Sequence, residues 1–328
     1  MPGHERHRLG YIGAGWITPF HLEALDRLER TNLVAVAAPR QERAAALAAP
    51  RGAAAYVDVA RMLDEQAPDV VYVAVPPSAA IAVCEQLVER GITFLVEKPL
   101  SAMDPDGSAA VAAAITAKRL VVAVGYHLRA LEPLPEVRER LLTNPSHLVV
   151  ARWLSGTPAP AWWLREVAGG GQVVEQATHF YDLARHLVGE ASVVAAVSTR
   201  EEPVVPEGAD VADATAAVLR FESGAVGSFA NSRRLANVVV EIEFMSAGLL
   251  TTIRRTSDPH PGSWEVSFAH GHSVVTYPPG RDPYERQAEA FLDAVEAGDP
   301  DAVLATYSDA ARTDALTREV VAATGKHG

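Results

Sequence analysis

Cysteine is almost missing from this chain of 328 residues: there is one, Cys84. A single thiol excludes an internal disulfide and a thiolate metal cluster, and it suits a reducing, cytoplasmic compartment. Cys84 lies in an apolar helical pattern and reads as a core residue. No run of apolar residues is long enough for a membrane helix. The polar, basic start from Met1 to Arg8 is unlike a signal peptide, because the apolar run after it is short and broken by glycines. Basic charge is in deficit, with a net charge of −12 and a pI near 5.4, which argues against a general nucleic-acid surface. Blocks of like charge, internal repeats and low-complexity tracts beyond alanine-rich helices are lacking too. The 11 histidines are scattered without a ligand spacing, so no metal site is expected. His270 and His272 read as solvent-facing loop residues. Neither a Gly-x-Ser-x-Gly elbow nor a Walker-type phosphate loop occurs.

What is present is an alternation. Short, near-continuous apolar runs at 8–12, 32–37, 69–75, 92–96 and 121–124 predict buried strands, and helical patterns at 16–28, 41–48, 57–64, 79–90 and 106–117 separate them. Such runs without polar alternation mean a parallel, doubly wound sheet covered on both faces. After about Tyr126 the texture changes. Helices are expected at 135–142 and 173–188, then longer alternating strands at 193–199, 214–221, 225–232, 238–245, 249–255, 264–268 and 273–277. Glu222-Ser223-Gly224 is a hairpin turn between two of them. Helices at 285–297 and 306–324 close the chain. The length and this change predict two domains, 1–125 and 126–328.

Gly13-Ala14-Gly15 joins the first strand to the first helix. Gly13 permits the tight turn, and Gly15 lets backbone amides approach a pyrophosphate at a helix N-terminus, with Trp16 and Ile17 beside it. The usual third small residue is Thr18, so the fingerprint is incomplete and its place in the first strand–turn–helix unit carries the reading. At the end of the second strand, where a NAD site has a carboxylate for the ribose 2′-hydroxyl, the chain has Ala38, followed by Arg40 and Arg43. A missing carboxylate removes repulsion toward a 2′-phosphate, and a guanidinium pairs with it in two-toothed fashion. NADP is therefore expected over NAD, the alternative being that the arginines are the solvated face of a helix. Glu97-Lys98-Pro99 closes a buried strand, where α/β sheets hold their ligands, and the proline ends the strand and holds the lysine in place.

Four segments together resemble the Gfo/Idh/MocA family of oxidoreductases: Gly13-Ala14-Gly15, Val75-Pro76, Glu97-Lys98-Pro99, and the run from Gly169-Gly170-Gly171 through Glu175-Gln176-Ala177-Thr178-His179 to Asp182. The resemblance runs nearly end to end. It implies class α/β, with an N-terminal Rossmann doubly wound parallel sheet and a C-terminal α/β domain whose large open, mainly antiparallel sheet makes a homodimer or homotetramer. It implies hydride exchange between nicotinamide and a secondary alcohol or ketone on a sugar, sugar derivative or cyclitol.

The family's catalytic lysine falls on Lys98, its histidine on His179 and its aspartate on Glu175. An imidazole titrating near neutrality suits proton exchange with the substrate oxygen, and an ammonium suits the charge developing there. Glu175 and His179, four apart, are expected on one helix face with the carboxylate orienting the ring. Val75, Pro76, Glu97 and Tyr126 are expected around the cofactor. Trp162 and Trp163 either stack on the substrate or pack in the core, and Tyr284 is a further pocket candidate. Asp182 reads as structural. The chain departs from the family pattern with Glu at 175, Ala at 177, and Pro77-Ser78-Ala79-Ala80 where asparagine and histidine are common, which points to a substrate of its own. The competing readings are a NAD-dependent polyol or inositol dehydrogenase and a non-catalytic, cofactor-binding sugar sensor; Lys98 and His179 together argue against the sensor.

Overall fold

The computed structural model describes residues 6–201 and 207–325. Strand β1 is His7–Ile12, and helix α1 (Thr18–Leu28) follows; then come β2 (Thr31–Ala37), α2 (Gln41–Ala48), β3 (Ala54–Tyr56), α3 (Val59–Gln66), β4 (Val70–Val73), α4 (Pro77–Arg90), β5 (Thr93–Val96), α5 (Pro105–Lys118) and β6 (Val122–Val124). The expected alternation is all there, with β3 added. The second half runs α6 (Leu134–Thr143), β7 (Leu148–Leu154), α7 (Glu166–Gly169), α8 (Gly171–Glu175), α9 (Thr178–Val188) and seven strands: β8 (Ala191–Thr199), β9 (Ala214–Phe221), β10 (Val226–Ser232), β11 (Val239–Ser246), β12 (Leu249–Arg255), β13 (Trp264–His270) and β14 (Ser273–Tyr277). Helices α10 (Pro283–Ala297) and α11 (Tyr307–Thr324) end it. Among the described residues no helix is long and apolar enough to cross a membrane.

The chain divides into two units. The first comprises residues 1–130 and 283–311, the second residues 131–282 and 312–328.

In the first unit six parallel strands lie in the order β3-β2-β1-β4-β5-β6. The strands read as unbroken apolar runs because successive residues feed two different cores. Ile12, Val71, Val73, Phe94 and Val96 meet α3, α4 and α5, with Cys84 buried among them. Tyr11, Val70, Tyr72 and Leu95 meet α1 and α2 on the other face. Helices α1 and α2 serve the β1–β3 side, which leaves that face of β4 and β5 uncovered. Helix α10 covers it: Ala288, Phe291 and Leu292 join the same core, and Phe291 sets its ring edge to Tyr72 at 5.8 Å. A parallel sheet needs both faces buried, so α10 packs here although residues 131–282 of the second unit precede it in sequence.

The second unit is built on an eight-stranded sheet ordered β14-β13-β12-β11-β7-β10-β9-β8. Every pairing is antiparallel except β7 with β10. Strand β7 is central and was not foreseen, although Val149, Ala151 and Trp153 alternate toward the interior. One face carries the core. Val194, Val197, Val218 and Val226 on β8, β9 and β10 are exposed.

Candidate active site

The glycine turn sits where strand order reverses, between β1 and β4. Gly13 has φ +120°, and a Cβ on it would stand 2.1 Å from the Ala74 carbonyl oxygen, so only glycine lets β1 run past the end of β4. The Gly13 amide donates to Ala37 O at 2.8 Å and the Ala74 amide to Ile12 O at 2.7 Å, which ties the ends of β2, β1 and β4 together. Gly15 is exposed with open space where a Cβ would be. Helix α1 begins after Ile17 with no side-chain cap and no acid in its first turn, leaving its amides and positive dipole end for an anion. These features fit a dinucleotide pyrophosphate. Trp16 is 65% exposed, its ring 5.1 Å from that of Phe20. Thr18, in the place of the third small residue, is fully buried, and its hydroxyl accepts the Gly15 amide at 3.1 Å.

At the tip of β2, Ala38 is buried and its amide donates to Tyr56 O at 3.0 Å. Arg40 is the exposed N-cap residue of α2, and Arg43 is exposed in that helix's first turn. The pair thus stands at an uncapped helix start with no carboxylate at the strand end. Val75 is half-buried against the core, and Pro76 is the exposed residue before α4.

Lys98 follows β5, half-buried, with a cis bond to Pro99. Its amide donates to Glu97 Oε2 at 3.2 Å, and Glu97 Oε1 lies 3.1 Å from His21 Nε2. A Cβ on Gly125 would stand 2.5 Å from Glu97 Oε1, so the glycine after β6 makes room for this carboxylate. The Glu97 amide donates to Val73 O at 2.8 Å and the Gly125 amide to Val96 O at 2.8 Å. The sequence reading missed His21, whose one signal was a histidine on the buried face of α1. Tyr126 is 2% exposed and joins the core against α4 and α5. Tyr284 is buried with its ring 5.3 Å from His21 and 4.7 Å from His127, the latter stacked at 21°.

In the second unit Gly170 and Gly171, with φ +73° and +72°, turn the chain from α7 into α8. A Cβ on Gly170 would stand 2.7 Å from Val174 Cβ. Here one expectation is corrected. The single helix over 173–188 is two helices, with Glu175 ending the first and His179 near the start of the second. The Ala177 amide bonds back five residues to Gln172 O at 2.9 Å, and the His179 amide goes to Gln176 O at 3.4 Å rather than four back to Glu175. This single wide turn shifts the register of α9 against α8, so the i, i+4 argument does not apply across it.

Glu175 Oε2 accepts the indole N–H of Trp163 at 2.8 Å. Trp163 is 1% exposed, within a 3₁₀ turn over Ala161–Leu164, while Trp162 is half-buried against Gly169. His179 is buried near the start of α9, its ring 5.9 Å from that of Trp153 and stacked at 16°. Trp153 also meets Phe180 and Trp264, at 5.2 and 6.4 Å. It was missed with its strand. Asp182, read as structural, is buried and accepts the Thr313 hydroxyl at 3.2 Å, which in turn accepts from Arg185 at 2.6 Å. His270 and His272 are exposed. Among the described residues no cluster of three or more His, Cys, Asp or Glu side chains could hold a metal.

Comparison with known proteins follows the same division. Residues 7–126 match the family model described as oxidoreductase family, NAD-binding Rossmann fold, and residues 145–245 match the GFO/IDH/MocA C-terminal domain. The chain is 26% identical over 313 residues to the myo-inositol 2-dehydrogenase of Thermotoga maritima, covering 90% of each. Its fold is similar to that of KijD10, a 3-ketoreductase from Actinomadura kijaniata in complex with NADP and TDP-benzene, at TM-score 0.84 and 20% identity over 97% of this chain and 98% of that one. A levoglucosan dehydrogenase in complex with NADH gives TM-score 0.85 and 21% identity over 98% of each chain. With a glycine turn shaped for a dinucleotide, a lysine at the tip of β5 and family models matched in both halves, the chain belongs to the Gfo/Idh/MocA family of oxidoreductases.

Proposed function

We propose that this protein is an NADP(H)-dependent oxidoreductase that interconverts a secondary alcohol and a ketone on a sugar, sugar derivative or cyclitol. The observation that carries the reading is Lys98 at the carboxyl end of β5, its amide held by Glu97, in the same parallel sheet as the Gly13–Gly15 turn. A bound nicotinamide supplies or takes the hydride. Lys98 donates to the substrate oxygen and stabilises the charge that grows on it, and His179 exchanges the proton with it. Glu175 serves through its bond to Trp163, which sets the turn ahead of His179. The inositol dehydrogenase and the ketoreductase named above support a polyol or keto-sugar as the substrate class.

Preference for NADP rests on Ala38 in place of a carboxylate and on exposed Arg40 at the start of α2, poised for a 2′-phosphate. The exposed valines of β8, β9 and β10 support assembly into a homodimer or homotetramer through that sheet. A cytoplasmic location accords with one buried, unpaired cysteine.

Initial rates with NADPH and NADH across a panel of keto-sugars, cyclitols and sugar nucleotides test this. Lys98→Ala should lower kcat roughly a thousandfold or more and leave the cofactor dissociation constant within about threefold. Arg40→Ala should raise KM for NADPH roughly ten- to hundredfold and leave that for NADH alone. Equal or better efficiency with NADH in the wild type overturns the cofactor assignment. Full turnover by Lys98→Ala overturns the catalytic one.

A further inference from the structure

Beneath Lys98 the first unit holds a line of buried polar groups that the hydride chemistry does not use. It begins in the glycine turn, where the Gly15 amide donates to Thr18 Oγ1 at 3.1 Å. Thr18 acts on the Tyr11 phenol beside it, pulling its pKa down against the effect of burial. Tyr11 then meets His21 Nδ1 at 2.9 Å. On the other side of the ring, His21 Nε2 stands 3.1 Å from Glu97 Oε1, with the carboxylate off the line of the ring N–H. Glu97 Oε2 accepts the amide of Lys98 at 3.2 Å.

Donors and acceptors fall into one order along this line. A carboxylate 3.1 Å from Nε2 favours the ring proton on that nitrogen, which leaves Nδ1 to accept from the Tyr11 hydroxyl. The same carboxylate also takes the lysine amide.

The line is enclosed. Thr18 and Tyr11 are fully buried, and the His21 and Glu97 side chains are 2% and 12% exposed. Tyr72 sets its ring 5.8 Å from His21, from β4, and Tyr284 sets its ring 5.3 Å away, from α10, with His127 stacked behind Tyr284. Gly125 closes the side next to Glu97. Burial raises the Tyr11 phenol well above its ordinary pKa, and the Glu97 charge adds to this, so Tyr11 stays a neutral donor at any working pH. The groups facing His21 are therefore Tyr11, Tyr72, Tyr284 and Glu97.

A carboxylate next in sequence to the reacting lysine has to be kept from swinging away. The imidazole stands against one of its oxygens, and the lysine's own amide bonds the other. We propose that Tyr11 and His21 are positioning residues for Lys98, fixing the Glu97 carboxylate that holds its amide and tying it to the turn that meets the cofactor phosphates. The inference rests on Lys98 being the residue that meets the substrate oxygen.

The chain has three lysines, at 98, 118 and 326, so [ε-13C]lysine labelling gives few signals, and Lys98→Arg assigns the one that matters. In full-length protein bound to NADP+, Tyr11→Phe and His21→Ala should move the Lys98 Cε signal, while the Lys118 signal stays in place. The same variants should lower kcat roughly tenfold or more with the NADP+ dissociation constant within about threefold, read from tryptophan fluorescence. His21→Gln, whose amide nitrogen replaces Nε2, should restore most of both. Tyr11→Phe and His21→Gln preserve shape and answer the question if His21→Ala does not fold. Lys98 signals that superimpose on wild type in a folded Tyr11→Phe protein overturn the proposal, whatever happens to kcat. Turnover that survives Lys98→Ala overturns the catalytic assignment instead, and the NMR readout still decides whether His21 governs the surroundings of Lys98.

Discussion

At the scale of single residues, geometry at the glycine turn leaves least freedom. Gly13→Ala adds a methyl 2.1 Å from a backbone oxygen at φ +120°, where L-residues are strained in any case. The substitution should cost on the order of 3 kcal/mol in urea denaturation, and cofactor binding should fall with it because the turn itself must move. Cys84 is the opposite case, a residue whose chemistry is switched off by its position. Burial pushes its thiol up to about 12. At pH 8 under native conditions a disulfide reagent should therefore react with it only as fast as the unit opens, and at once in denaturant. Both residues were legible from sequence, one as a turn glycine and one as core. Thr18 was legible only as a flaw in the fingerprint. That its hydroxyl takes the Gly15 amide, beside the Tyr11 phenol, depends on β1 and α1 lying side by side, which spacing does not report.

At the scale of elements, the break between α8 and α9 decides what Glu175 does. A continuous helix would have placed it one turn before His179. The wide turn at Ala177 instead leaves its Oε2 taking the Trp163 indole. Trp163→Phe should cost about 1–3 kcal/mol in chemical denaturation, since it removes a donor from a partly buried carboxylate, while Glu175→Gln keeps an acceptor and should cost less. A double-mutant cycle between the two that gives no coupling would contradict this. Strand β7 shows the other limit. Its alternation was present in the sequence, yet its neighbours β10 and β11 come roughly 70 or more residues later, so its central place rests on long-range pairing. Trp153 on that strand, stacked on His179, was lost with it. Trp153→Ala should cost about 3–5 kcal/mol, as large-to-small core changes do.

At the scale of the whole chain, the return of α10 completes the first unit. Arg27 meets Glu285 at 2.7 Å, and Arg30 meets Asp293 and Glu296 at 2.7 and 2.8 Å, fastening α1 to α10. Hydrogen bonding from Arg30 holds the Glu296 carboxyl below its ordinary pKa, and the arginine's charge adds to this. A depressed folded pKa means stability that is present above the unfolded value and lost as pH falls through the folded one. Glu296→Gln should thus destabilise by no more than about 1 kcal/mol at pH 7, because the pair is partly exposed, and the difference from wild type should vanish toward about pH 3. Denaturant melts across that range, repeated in high salt, check both the sign and the screening.

The sequence by itself determined the parallel sheet, the dinucleotide turn, the lysine at a strand tip and the family, because each is written in local periodicity or in contiguous residues whose conformation has few alternatives. Tertiary structure alone decided that α10 covers β4 and β5, that His21 and Tyr11 stand under Glu97, that Tyr284 packs against His21, and that Glu175 accepts the Trp163 indole. Each of these depends on side chains far apart in sequence meeting in a close-packed interior, where shape and unmet hydrogen bonds select the partner and no short pattern records the choice.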